Sequence, residues 1–205
     1  MIKIEPLDFS VIDSLPMPDE VSVAQRLDAA FADFNKKIVV LDDDPTGTQT
    51  VHGVPVYTDW SVQTLTDGFA EEGTMFFILT NSRSFSAEHT AAVHREIAEN
   101  LAAAASCCGK DFLLISRGDS TLRGHFPLET ATLRQTLEGL LEIRFDGEIL
   151  CPFFKEGGRY TLNNIHYVKE NRQLIPAGMT EFAQDKSFGY TASHLGLFVE
   201  EKSQG

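Results

Sequence analysis

Basic residues are scarce in this sequence: 17 lysines and arginines stand against 30 aspartates and glutamates in 205 residues, a net charge of −13. No Lys/Arg-rich run occurs anywhere, which excludes a general surface for nucleic acid or anionic membrane, since both bind by displacing counterions from phosphate. Long apolar runs are missing too. None approaches the roughly 18 residues needed to span a bilayer, and the opening MIKIEPLDFS lacks the basic start and apolar centre of a secretion signal. Cysteine is sparse, three in all. Cys107 and Cys108 adjoin and Cys151 stands alone, which makes neither a disulfide framework nor a CxxC metal site. These absences indicate a cytoplasmic chain whose cysteines are small buried apolar residues. Also absent are GxxxxGK(S/T) and GxGxxG, so the chain has neither a P-loop nor a dinucleotide fingerprint, and any nucleotide is held by other means.

What is present is ordinary globular material, 42% hydrophobic with 10% aromatics, enough for a sizeable core. Pro6, Pro16 and Pro18 mark residues 1–18 as an extended arm. Asp19 caps a helix in which Val23, Leu27, Ala30, Phe31 and Phe34 recur at helical spacing. The apolar runs 37–42, 53–58, 75–80, 112–117 and 147–153 read as strands, alternating with helices over 62–72, 87–108 and 128–144. That alternation predicts an α/β fold, a Rossmann-like open and mostly parallel sheet with flanking helices. From Arg159 the pattern changes, and 165–168 with 172–176 read as a C-terminal β-hairpin appended to the sheet. One domain over 19–195 followed by a tail, 196–205, is the expected layout.

Ligands of open α/β sheets bind at the carboxyl ends of the strands. Four segments there are unusually polar: Asp42 to Thr50, Asn81 to Ser86, Arg117 to His125 and Phe154 to Thr161. Three adjacent carboxylates, Asp42, Asp43 and Asp44, repel one another and persist only with cations, donors or a raised pKa to relieve them. Arg117, Asp119, Ser120, Arg123 and the glycines Gly118 and Gly124 make a cradle for carboxylate or phosphate, because guanidinium binds such groups bidentately. Arg83 and Arg159 extend it if they share the same edge. His89 and His94 are five residues apart, one more than the spacing that places two ligands on one helix face, so no metal site is expected.

Asp42-Asp43-Asp44-Pro45-Thr46 also satisfies the DxDxT pattern of haloacid-dehalogenase-type phosphatases. Those enzymes need a later carboxylate pair to hold magnesium. Here the matching stretch, Gly118 to Arg123, puts an arginine where the second acid belongs.

Taken together, the loops resemble the four-carbon acid sugar kinase family, formerly a domain of unknown function. Asp43-Asp44-Pro45-Thr46-Gly47 is similar to its first motif, and Asp119-Ser120-Thr121-Leu122-Arg123-Gly124 follows its DSTLRG motif, with His125 where the family has Asn. Segment 152–159, Ile165-His166-Tyr167-Val168 and Thr180-Glu181-Phe182-Ala183 echo three further motifs. Asp42, Pro45 and Thr48-Gln49 depart from the usual pattern and bear on substrate preference. The resemblance implies the N-terminal, sugar-binding domain of an ATP-dependent kinase acting on the terminal hydroxyl of a threonate, erythronate or 3-oxo-tetronate. Family members are about twice as long, so the chain would be an expressed piece or a shortened gene product. ATP and Mg2+ would sit on an absent C-terminal nucleotide-binding domain, this chain being inactive alone. The implied roles are catalysis by Asp43 or Asp44 and substrate binding by Arg83, Arg117, Asp119, Ser120, Arg123, Gly124, Arg159 and His166. The sugar acid and the second domain are the implied partners, self-association stays open, and a non-catalytic anion-binding or regulatory module is the alternative.

Overall fold

The computed structural model describes residues 4–48 and 51–204. Along the chain run β1 (Leu7–Asp8), α1 (Glu20–Ala32), β2 (Lys37–Asp42), β3 (Val56–Tyr57), α2 (Val62–Ala70), β4 (Met75–Leu79), α3 (Ala87–Cys108), β5 (Phe112–Arg117) and α4 (Leu128–Leu141). Then come β6 (Arg159–Leu162), β7 (Ile165–Glu170), β8 (Gln173–Pro176) and α5 (Leu195–Ser203). Strands β3-β4-β2-β5 form one sheet in that order, and every pairing in it is parallel. The steps from β3 to β4 and from β4 to β5 run in the same direction across the sheet. Right-handed crossovers therefore put α2 and α3 on one face. There Leu65 and Phe69 of α2, Ile97 and Leu101 of α3, and Leu133 and Leu137 of α4 close over Val39, Leu41, Phe76 and Ile78. Caps hold the helix starts: Ser61 Oγ accepts from Thr64 N at the head of α2, and Ser86 does the same for His89 N at the head of α3. The expected α/β, Rossmann-like parallel sheet is thus observed.

The predicted hairpin is β7–β8, but it builds a sheet of its own. The order is β1-β8-β7-β6, all antiparallel. Asn171, in the left-handed region at φ 53°, makes the tight turn between β7 and β8. Part of the expected arm is tied down here as β1, followed by a 3-10 turn at Phe9–Ser14.

Two further expectations need correction. Residues 147–153 form no strand, and Ile149 is 94% exposed. Pro152 cannot donate to a ladder and Glu148 favours water, so the outer edge of β5 stays unpaired. Helix α1 starts at Asp19 as expected, but Val23, Leu27 and Phe31 are exposed: the amphipathic stripe is real and nothing in the described chain covers it. The cysteines are not buried, since Cys107 and Cys151 are exposed and Cys108 is half-buried.

The expected tail is helix α5, whose Phe198 is 1% exposed in a second core with Leu122, Ala177, Ala183 and Tyr190. Its ring meets Tyr190 edge-on at 5.5 Å and stacks on Phe126 at 5.6 Å. Phe198→Ala should therefore cost about 3–5 kcal/mol, as large core truncations do, read from urea unfolding. A loss below about 1 kcal/mol would make α5 an appendage instead.

Candidate functional site

Strand register levels the site. The Cα of Asp42 faces Leu79 on one side and Arg117 on the other, so the loops after β2, β4 and β5 leave the sheet side by side. Backbone bonds stitch them together: Asp43 N donates to Arg117 O, Thr80 N to Asp42 O, and Arg83 N to Asp43 O, at 3.2, 2.9 and 3.2 Å. Gln49 and Thr50, in the first of these loops, lie outside the described residues.

Each acid of the triplet has a different fate. Asp42 is 1% exposed; its Oδ1 accepts from Arg117 Nη1 at 3.2 Å, while Oδ2 has no partner. Burial pushes its carboxyl up and the Arg117 charge opposes this. Gly47 permits the arrangement, because a Cβ there would lie 1.8 Å from Asp42 Oδ2. Asp43 receives a two-pronged guanidinium: Arg83 Nη2 to Oδ1 at 2.6 Å and Nε to Oδ2 at 2.9 Å. Burial outweighs that pairing and raises the Asp43 carboxyl to about 6. Asp44, half-buried, accepts from Arg83 Nη1 at 3.1 Å. The Thr46 hydroxyl and amide hold it below the usual carboxylate range.

The loop after β5 is self-braced. Arg123 Nε donates to Asp119 Oδ2 at 2.7 Å, and the Thr121 hydroxyl donates to the same oxygen. Burial would raise the Asp119 carboxyl, but these bonds and the Arg123 charge win and keep it low. Gly124, at φ 138°, brings the backbone toward Asp43 so closely that a Cβ would lie 3.4 Å from Asp43 Oδ2, a conformation reserved for glycine. Behind the loop, His166 Nε2 donates to Ser120 O at 2.7 Å and Nδ1 accepts from the Thr161 hydroxyl at 3.0 Å. His166 is fully buried, and burial keeps its ring from charging. It holds the loop from behind rather than reaching a ligand, which corrects its expected role in direct binding. Tyr190 works alongside, its hydroxyl donating to Thr121 O at 2.7 Å.

Arg159, at the start of β6, completes the group. Its guanidinium carbon lies 5.6 Å from the centre of the Phe182 ring, and that of Arg123 lies 5.1 Å from the same ring. Arg83, Arg117 and Arg123 each pair with a carboxylate. Arg159 has none among the described residues, and its buried Nε has no hydrogen-bond partner. Arg83, Arg117, Asp119, Ser120, Arg123 and Arg159 line one cavity of about 1580 Å³. It is larger than a typical small-molecule pocket because it continues along the open edge of β5.

Phe182, Tyr190, Thr121 and Thr46 carry structural work that sequence reasoning left without a role. Phe182, Thr121 and Thr46 lay inside quoted motifs, and for Tyr190 no local signal existed. Among the described residues no group of three or more His, Cys, Asp or Glu is placed to hold a metal ion, since the acids are drawn onto arginines. The phosphatase reading fares poorly on the same ground: its nucleophile would be Asp42, which is buried and paired with Arg117.

The profile of the sugar-binding N-terminal domain family matches residues 38–205. The chain belongs to that family. Every site residue above lies within the matched span of this sugar-binding domain. It is also similar to a crystal structure of a domain of unknown function (DUF1537) from Bordetella bronchiseptica, a domain-swapped dimer with bound citrate. The identity is 27% and the TM-score 0.58, over 79% of this chain and 39% of that one. The sugar-binding domain therefore spans well under half the length of its structural relative. No curated protein matches it, and no helix among its described residues is long and apolar enough to cross a membrane.

Proposed function

We propose that this chain is the substrate-binding half of an ATP-dependent kinase that phosphorylates the terminal hydroxyl of a four-carbon sugar acid. The observation that carries the reading is the charge pattern of the loop cluster: Arg83, Arg117, Arg123 and Arg159 stand among Asp42, Asp43, Asp44 and Asp119, and of these four guanidiniums Arg159 alone pairs with no carboxylate among the described residues. Of the four, Arg159 can meet a substrate carboxylate without displacing a protein carboxylate. Its carboxylates, acceptors when ionised, suit the hydroxyls of a short polyol. Citrate in the structural relative supports a hydroxy acid as the ligand class.

In this reading Arg159 anchors the substrate carboxylate beside Phe182, while Arg123 and the Ser120 hydroxyl contact the carbon chain. Asp43 takes the proton of the attacking hydroxyl, and Arg83 keeps that carboxylate aimed. With its carboxyl near 6, Asp43 is ionised at neutral pH and a stronger base than an ordinary aspartate. Asp44, held low by Thr46, orients the hydroxyl. Magnesium-bound ATP, carried by a second domain, supplies the phosphoryl group, and catalysis is chiefly positioning. No step is assigned to a metal on this chain: among the described residues no group of three or more His, Cys, Asp or Glu is placed to hold one. Layout follows the same reading: residues up to α5 form the sugar domain and the nucleotide domain succeeds it.

The test is calorimetric titration of the chain with threonate, erythronate and citrate, then a coupled ADP assay of the chain joined to its second domain. Binding by the chain with turnover only in the joined protein is expected. Binding without turnover in the joined protein would make it a non-catalytic anion-binding module, and no binding of any acid would overturn the reading.

A further inference from the structure

Beneath Arg83 lies a buried acid that none of these steps uses. Glu129, in the first turn of α4, is 6% exposed. It accepts the Ser82 hydroxyl proton at 2.6 Å. Ser82 is fully buried and immediately precedes Arg83 in the short 3-10 turn Ser82–Ser84. That turn is entered through Asn81 in the left-handed region, at φ 55°. Thr80 reaches both Asp42 O, at 2.9 Å, and Ser82 Oγ, at 3.1 Å, so one short chain of hydroxyls links the end of β2 to Glu129. On the far side, His94 Nδ1–H donates to Thr90 O at 2.8 Å, and its Nε2 faces Glu129 Oε1 at 3.7 Å. Three polar side chains of this cluster, Ser82, His94 and Thr90, are at most 1% exposed, where an unsatisfied group is costly. The cluster is therefore a specified contact between α3, α4 and the turn.

We propose that Glu129 is a positioning residue for Arg83: by holding the Ser82 hydroxyl it fixes the turn that aims the guanidinium at Asp43 and Asp44. This rests on the reading of Asp43 and Arg83 as part of the sugar-acid site. The second consequence is electrostatic. Asp43 is faced by Arg83 from the turn after β4, by Asp42 and Asp44 on its own loop, and by the Gly118 and Gly124 backbone. Arg117 lies one step further, bonded to Asp42. Glu129 adds a negative charge from α4, with His94 of α3 behind it, and that charge contributes to the raised Asp43 carboxyl. Glu129 thus has two separable effects on Asp43: its acceptor oxygen keeps Arg83 in place and its charge opposes ionisation.

Two variants separate them. Glu129→Gln keeps an acceptor for Ser82 and removes the charge, whereas Glu129→Ala removes both. The readout is the titration of the Asp43 carboxyl carbon by NMR in the full chain without ligand, its signal assigned through Asp43→Asn. Glu129→Gln should lower the midpoint by about half a unit or more, the usual size for loss of a nearby like charge across partly buried space. Glu129→Ala should sit at least about half a unit above Glu129→Gln, because a loosened Arg83 no longer draws the carboxylate out. Ser82→Ala, which leaves the charge and breaks the bond, should raise the midpoint above the native one and weaken threonate binding about tenfold. Equal midpoints for Glu129→Gln and Glu129→Ala, with Ser82→Ala like the native protein, would overturn the proposal. The titration needs no ligand, so failure of the native chain to bind sugar acids would remove the proposed function while this result still stands or falls by itself.

Discussion

Replacing Arg159 by alanine is expected to weaken sugar-acid binding at least about 30-fold, or about 2 kcal/mol, the scale of a lost charge-assisted hydrogen bond. The other three arginines are already committed: Arg83 to Asp43 and Asp44, Arg117 to Asp42, Arg123 to Asp119. A ligand carboxylate must compete with these partners. Arg159 donates to Gly157 O through Nη1 and pairs with no carboxylate among the described residues, so a ligand carboxylate at its guanidinium displaces no protein acid. The loss should fall on affinity and leave the fold intact, since Phe182 retains Arg123 against its ring. Calorimetry with threonate at fixed salt measures it. Affinity within twofold of native would take Arg159 out of the site and leave Arg123 as the anchor.

The second large effect is on turnover. In a protein carrying both domains, Asp43→Asn should lower kcat by about 10²–10⁴, the range of general-base catalysis, with substrate affinity changed only a few-fold. Asn keeps the size and one acceptor for Arg83 but cannot take a proton. The native kcat/KM should rise with pH through about 6, where burial places the Asp43 carboxyl, and the variant should lose that limb. Near-normal turnover would pass the role to Asp44. Stability gives an independent reading with the opposite sense. Folding raises this carboxyl from 3.8 to about 6, so its contribution is complete below the ordinary value and is lost as pH rises through the folded one. Across that window the native protein should lose up to about 3 kcal/mol relative to Asp43→Asn, at 1.36 kcal/mol per unit. Asp44 and Asp119, both held low, act in the reverse sense and favour folding more as pH rises above their own titrations.

Sequence periodicity placed α3 and β5 at their observed ends, and the acids and arginines could be located because they follow apolar runs that had to be strands. Once β2, β4 and β5 lie parallel and level, Asp43, Arg83 and Asp119 have to converge. The supports were hidden for a physical reason. His166 reaches Ser120, Tyr190 reaches Thr121 and Glu129 reaches Ser82 across 46, 69 and 47 residues, and no local pattern encodes such a meeting. Residues 147–153 show the converse. An apolar run such as Ile149-Leu150-Cys151 describes a surface that suits a pleated sheet, and whether a neighbouring edge takes it up is decided elsewhere in the chain. The stripe on α1 is alike: its amphipathic pattern was plain, and its partner was not.

The stretch between α4 and β6 also sets where the chain can be cut without being taken apart. Residues 142–149 are all exposed and lie outside any helix or strand, which makes them the natural first target of a protease. A nick there leaves the parallel sheet and β1 on one piece and β6, β7 and β8 on the other, though β1 remains paired with β8. Ser120 and Thr121 belong to the first piece, yet their carbonyls are held by His166 and Tyr190 of the second, and Phe126 is stacked on Phe198. The loop after β5 is therefore also the clasp that would keep a cleaved molecule whole.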